Sequence, residues 1–90
     1  MVVLQGVVMM LKMKANLFKN GKIIKHYSDI VRVDVDKKYG YFVLHQHIYQ
    51  HTIIFTIRFA DCDKIVTTEK GQFDTKIERT YSPNENIFNR

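Results

Sequence analysis

Three histidines within seven residues are the densest group of potential metal ligands in the chain: His45, His47 and His51. Imidazoles two residues apart on a strand project from the same face and can ligate one zinc or copper ion. In an extended strand His51 shares that face, and either His51 or Asp34 would supply a third ligand. The spacing predicts a candidate metal site, although histidine beside tyrosine is also ordinary sheet surface.

Tyrosine and basic side chains are mixed over the same part of the sequence. Flat rings stack on bases and cations contact phosphates, which is the combination that single-stranded nucleic acid needs. The net charge of +5 and the pI of about 9.4 agree with such a partner, and the positive excess lies in the first two thirds of the chain. The candidate nucleic-acid-binding residues are Lys22, Lys25, Tyr27, Arg32, Lys37, Lys38, Tyr39, Tyr41 and Tyr49.

Side chains suited to catalysis are sparse. Cys62, the single cysteine, stands between Asp61 and Asp63, whose negative charges disfavour the thiolate, so we expect a packed, unreactive thiol. Asp34 and Asp36 are typical of strand ends and turns. The sequence contains no nucleophile elbow, glycine-rich phosphate loop or zinc-protease motif. We therefore expect neither enzymatic activity nor a cofactor.

The composition predicts a chain built mainly of strands. Val, Ile and Thr make up 25 of the 90 residues, whereas Ala and Leu together make up 6. β-branched side chains lose rotamer freedom on a helix and pack well on a sheet. A lone cysteine cannot form an internal disulfide, which favours a reducing, cytoplasmic setting.

The apolar segment 1–12 has two interpretations. No positive charge precedes it and no small-residue cleavage site follows it, which argues against a signal peptide, and it is too short to span a bilayer. Codons for Gln5, Gly6 and Val7 can spell a purine-rich ribosome-binding signal just ahead of Met9 and Met10. The segment is therefore either a translated bacterial leader or an ordinary first strand.

Turn signals divide the remaining chain into short strands. Asn20 and Gly21 predict a two-residue hairpin turn between strands at 13–19 and 22–27. Further strands are predicted at 30–35, 40–45, 52–59, 64–69 and 73–81. The stretch between them at 45–52 is a loop, a helical turn or the extended tip of a hairpin. Alternation predicts that Val31, Val33 and Val35 all face the core.

These segments predict a single β domain over 13–81, followed by a short tail at 82–90. In the tail, Ser82, Pro83 and Glu85 resemble a capping box, which predicts a short C-terminal helical turn. We expect a small antiparallel meander curled into a barrel or folded as a two-layer sandwich, because a flat sheet would expose an apolar face and its edges.

The function predicted best is that of a non-enzymatic, cytoplasmic, bacterial binding module whose Tyr, His and Lys face contacts nucleic acid. The alternative is a protein-interaction or homo-oligomeric module, such as an accessory or mobile-element protein. In that case the same aromatic face and the strand from Ile53 to Phe59 bury against a partner. Neither interpretation involves a membrane.

Overall fold

The computed structural model describes residues 12–84, which form six strands. These are β1 (Met13–Lys19), β2 (Lys22–Asp36), β3 (Tyr41–Ile48), β4 (His51–Arg58), β5 (Lys64–Lys70) and β6 (Lys76–Tyr81). Two short 3-10 turns, Phe59–Asp61 and Gln72–Asp74, lie between strands. The prediction of a mainly β chain is confirmed. Within the described residues, no helix has the length and apolar character needed to cross a membrane.

All six strands belong to one antiparallel sheet with the order β4-β3-β2-β1-β5-β6. Hairpins join neighbouring strands, except that residues 59–63 lead from β4 at one edge back to β5 beside β1. The predicted antiparallel meander is confirmed. In residues 12–84, however, the sheet does not close into a barrel, because β4 and β6 each pair with one neighbour only.

β2 is one strand of 15 residues, where the sequence predicts two shorter ones. Asp29 adopts a left-handed φ of 57°, and the pairing of β2 with β1 shifts register near this point. A local irregularity of this kind bends and twists a strand without ending its pairing. β1 therefore pairs with the first part of β2 and β3 with its last part, so the long strand connects the two halves of the sheet.

One face of the sheet, here called the core face, carries the buried side chains. They are Met13, Ala15, Leu17, Ile30, Val33, Val35, Phe42, Leu44, Cys62 and Ile65. The prediction that three valines of β2 face the core is wrong for Val31, which is only half-buried while Ile30 is fully buried. A register shift between Ile30 and Arg32 inserts one residue and reverses the alternation there.

Left-handed backbone shapes the turns. Asn20 and Gly21, with φ values of 54° and 79°, form the predicted hairpin turn. The stretch 45–52 is the extended tip of a hairpin, since β3 continues to Ile48 and a two-residue turn follows at Tyr49 and Gln50. These two residues have φ values of 56° and 124° although neither is a usual turn residue, which explains why the sequence shows no turn signal.

The last strand is shorter than predicted. It begins at Lys76 rather than at residue 73, because Phe73 and Asp74 adopt φ values of 55° and 63°, which interrupt an extended chain. The predicted C-terminal helical turn falls in the tail 82–90, of which residues 85–90 lie outside the described part of the chain. The apolar N-terminal segment 1–12 lies outside the described part up to residue 11.

Candidate nucleic-acid interface

The predicted nucleic-acid-binding residues lie at several separate places on the sheet. Lys22 and Lys25 are exposed near the first end of β2. The turn between β2 and β3 carries Lys37, Lys38 and Tyr39, and Tyr41 is the first residue of β3. Because β2 is the longest strand, these two groups are separated by the length of the sheet. The structure brings together the residues within each group but not the two groups.

The predicted tyrosines differ in how much ring surface they offer. Tyr27 is half-buried, and its ring centroid lies 4.8 Å from that of Phe55. The Nζ atom of Lys25 lies 5.7 Å from the centroid of the same ring. Tyr39 and Tyr49 are 67% and 86% exposed, but they belong to two different turns. Tyr27, Tyr39 and Tyr49 therefore do not lie together as one stacking platform.

Arg32 and His45 bind the two oxygens of one carboxylate. The Nε atom of Arg32 donates to Oδ1 of Asp34 at 3.0 Å, and Nε2 of His45 lies 3.0 Å from Oδ2 of Asp34. All three side chains project from the face opposite the core, here called the outer face. The positive charge of Arg32 already has an anionic partner, which lessens its attraction for a phosphate.

The three predicted metal ligands do not share one face, which corrects the expectation from their spacing. The two-residue turn pairs Ile48 with His51, so His51 lies on the side of the core face, while His45 and His47 project from the outer face. The Nδ1 atom of His47 lies 3.4 Å from Oγ1 of Thr52. Within residues 12–84, no three His, Cys, Asp or Glu side chains are grouped so that they could hold a metal ion.

A groove of about 460 Å³ lies where β1, β5 and β6 run side by side, and it is called the lysine groove here. Its lining residues are Lys12, Lys14, Thr68, Glu69, Lys70, Asp74, Thr75 and Lys76. Strand pairing places Lys14 opposite Thr68 and Lys70 opposite Lys76. Three lysines from three strands, together with Lys12 just before β1, therefore line one groove.

The charge of the lysine groove is only partly balanced. Its two acidic residues are Glu69 and Asp74, against four lysines. Lys12 lies 3.8 Å from the carboxylate of Asp29, outside the groove lining, whereas the other three lysines form no ion pair within the described part of the chain. Like charges directly opposite one another on paired strands destabilise a sheet. A bound anion would relieve this repulsion.

Phe73 stands in the loop that borders the lysine groove. Its side chain is 92% exposed, and its backbone is left-handed. The loop is closed by hydrogen bonds from the backbone N–H of Gly71 to the carbonyl of Thr75 and from the N–H of Thr75 to the carbonyl of Gln72. An exposed large aromatic residue on a strained backbone is uncommon, and strain of this kind concentrates at functional sites.

Cys62 is fully buried at the end of the connection between β4 and β5. Its Sγ atom donates to the carbonyl of Lys64 at 3.2 Å. Burial raises the pKa of this thiol, and the charge of Asp63 raises it further, although hydrogen bonds with the backbone of Phe18 and Lys64 lower it. The prediction of a packed thiol is confirmed.

Comparison with protein-family models, with curated proteins and with solved structures finds no match for this chain. A role must therefore be inferred from the chain's own side chains. The two features that point to a ligand are the lysine groove and the exposed Phe73, which precedes the lining residue Asp74 in the loop between β5 and β6. Both favour a ligand that is anionic and has flat apolar surfaces.

Sequence reasoning did not identify the lysine groove. Lys12 and Lys14 alternate along the chain, and this spacing alone predicts that they share a face. Lys70 and Lys76 flank a loop that contains Gly71, which is compatible with a hairpin. No local signal shows that β5 pairs with β1, and this pairing is what brings the four lysines together.

Proposed function

We propose that the chain is a non-enzymatic, cytoplasmic, bacterial module that binds single-stranded nucleic acid in the lysine groove. The observation that carries the proposal is the convergence of Lys14, Lys70 and Lys76 in one groove, with the exposed Phe73 next in sequence to the lining residue Asp74. This site keeps the predicted ligand class but replaces the predicted set of tyrosines and lysines.

Phosphate groups are the anions that the lysine groove would attract. Ammonium groups on three strands offer charge at several points along a backbone, and the hydroxyl of Thr68 adds a neutral donor. Such contacts release counterions from the nucleic acid, and they are independent of base sequence. Affinity should therefore fall steeply as salt is added.

The ring of Phe73 distinguishes single strands from duplexes. A base that is unpaired and unstacked can lie against an aromatic side chain, whereas a base inside a duplex cannot. One stacked base contributes about 1–3 kcal/mol, with little preference among the four bases. The proposal therefore predicts stronger binding of a single strand than of a duplex of the same length.

The test is fluorescence anisotropy with a labelled oligothymidine of about 10 nucleotides. The double variant Lys70→Gln/Lys76→Gln should weaken binding about tenfold at moderate salt. It should also reduce the slope of log affinity against log salt by about 0.7 for each lysine removed. The matched control is Lys37→Gln/Lys38→Gln, which removes the same charge from the turn between β2 and β3 and should change affinity much less.

Substitution of Phe73 separates stacking from charge. Phe73→Ala should weaken binding by about 1–3 kcal/mol and leave the salt slope unchanged. The proposal is wrong if the wild-type chain does not bind the oligonucleotide at low salt. It is equally wrong if the groove and turn variants lose affinity to the same extent, because net charge alone would then explain the binding.

A further inference from the structure

The two edges of the sheet differ in how they are protected. β6 carries charged side chains at Lys76, Glu78 and Arg79, which oppose pairing with another strand. β4 has no charged residue, proline or glycine between Thr52 and Ile57. It pairs with β3 over all eight residues without a register shift. β4 is therefore a regular, apolar edge without the features that usually prevent edge-to-edge association.

The hairpin geometry identifies which backbone groups of β4 are free. A two-residue turn closes on a hydrogen-bonded pair, which here is Ile48 and His51. Bonding alternates along an antiparallel pair, so the odd-numbered residues of β4 bond to β3. Thr52, Ile54 and Thr56 then direct their N–H and C=O groups to the edge, where no strand within residues 12–84 meets them.

The side chains along this edge are apolar and accessible. Ile54 is 57% exposed on the outer face, and Ile53 is 42% exposed on the core face. Thr52 and Thr56 flank Ile54 on the same face. The segment can therefore add apolar contacts to backbone hydrogen bonds on both faces of an extended sheet.

We propose that β4 pairs antiparallel with β4 of a second copy of this chain, through a two-fold axis at Ile54. This register places Ile54 opposite Ile54 and Thr52 opposite Thr56 on the outer face, and Ile53 opposite Phe55 on the core face. The free backbone groups of the two strands then meet in about six hydrogen bonds. No like charges face each other, so the segment is complementary to itself.

A second copy fits this edge better than a charged peptide does. A peptide rich in acidic or basic residues finds no opposite charge between Thr52 and Ile57. Two copies of the six-stranded sheet instead form one continuous twelve-stranded sheet whose outer edges are both the charged β6. The proposal concerns a different surface from the lysine groove and does not depend on nucleic-acid binding.

Sedimentation velocity of the full chain over a concentration series tests the proposal. The wild type should pass from monomer to dimer as concentration rises. Ile54→Lys places a charge at the axis and should raise the dimer dissociation constant at least tenfold, without touching the buried core. The matched control, Thr80→Lys, adds the same charge to the exposed outer face of β6 and should leave dimerisation unchanged. Circular dichroism confirms that both variants are folded.

Cross-linking tests the register. In Ile54→Cys, the two introduced thiols meet at the axis, and oxidised glutathione converts them into one disulfide while being reduced to two glutathione molecules. A covalent dimer should therefore form in this variant and not in Thr80→Cys. A wild type that stays monomeric at all concentrations would overturn the proposal. So would equal effects of Ile54→Lys and Thr80→Lys, or preferential cross-linking of Thr80→Cys.

Discussion

The carboxylate of Asp63 accepts a hydrogen bond of 2.7 Å from the backbone N–H of Asn20. This bond joins the turn between β1 and β2 to the connection between β4 and β5, 43 residues away in the chain. Lys19 strengthens the same junction, since its Nζ atom donates to the carbonyl of Ala60 at 2.9 Å and to Oδ1 of Asp63 at 3.4 Å. The hairpin turn is thereby fastened to the segment that returns the chain to β5.

This junction predicts a pH-dependent stability. The N–H of Asn20, helped by the charge of Lys19, lowers the pKa of Asp63 below its ordinary value. A carboxyl group whose pKa is lower in the folded state stabilises the fold above its unfolded pKa of about 3.9. That contribution is lost as the pH falls through the folded-state pKa. Asp63→Asn should therefore lower the melting temperature at neutral pH, and the difference from wild type should shrink below about pH 4.

Thermal denaturation over a pH series measures this effect. Asp61→Asn is the control, because it removes the same charge from the same connection, where the carboxylate is paired with the exposed side chain of Arg58. Its melting temperature should follow that of the wild type more closely than Asp63→Asn does. Parallel pH profiles for the two variants would show that the contact with Asn20 does not stabilise the fold.

Substitution of Gly21 should destabilise the fold because of the positive φ of this residue, and not because a larger side chain would clash with its neighbours. Its φ is 79°, and an added Cβ atom would meet no heavy atom within 4 Å. Gly21→Ala should therefore lower the free energy of unfolding by about 1–2 kcal/mol through strain alone. Gly21→Asn should cost less, since asparagine tolerates left-handed backbone. Urea unfolding measures both values, and equal losses for Ala and Asn would contradict the proposed cause.

Cys62 should react slowly while the chain is folded. It is fully buried, and its pKa is raised by that burial, so little accessible thiolate exists near neutral pH. Alkylation by iodoacetamide, followed by mass spectrometry, should be about 100-fold slower in buffer than in concentrated urea. In Thr80→Cys, the introduced thiol on β6 should react rapidly under both conditions. Fast labelling of Cys62 in buffer would contradict the buried position.

Much of the strand pattern could be predicted because its signals are local. The turn at Asn20 and Gly21 matches the residues that tolerate positive φ, and the alternation along β4 matches its two faces. The turn at Tyr49 and Gln50 could not be predicted, because neither residue favours left-handed backbone. Pairing of β3 with β4 offsets the conformational free-energy cost of positive φ at these two residues. Such pairing depends on both strands and is not a local property of the turn sequence.

Some features of the candidate site could also be predicted from the sequence, and others could not. The basic character of the chain and the shared face of Lys12 and Lys14 could be predicted from composition and spacing. The sequence does not show how far apart the predicted tyrosines and lysines lie. In the fold, the group at Lys22 and Lys25 and the group at residues 37–41 lie at opposite ends of β2. The exposed loop position of Phe73 could not be predicted, because the sequence predicts this residue as the first of a strand.

By itself, the sequence determined that the chain is rich in strands, carries a positive charge and contains one cysteine with no internal partner. These properties follow from side-chain type and from neighbours a few residues away. Only the fold shows that β5 returns to β1, that the lysines converge in one groove and that β4 is an edge strand of the sheet formed by residues 12–84. The reason is physical: strand order and edges depend on hydrogen bonds between residues far apart in sequence, and the residue pattern of one strand does not specify its neighbour.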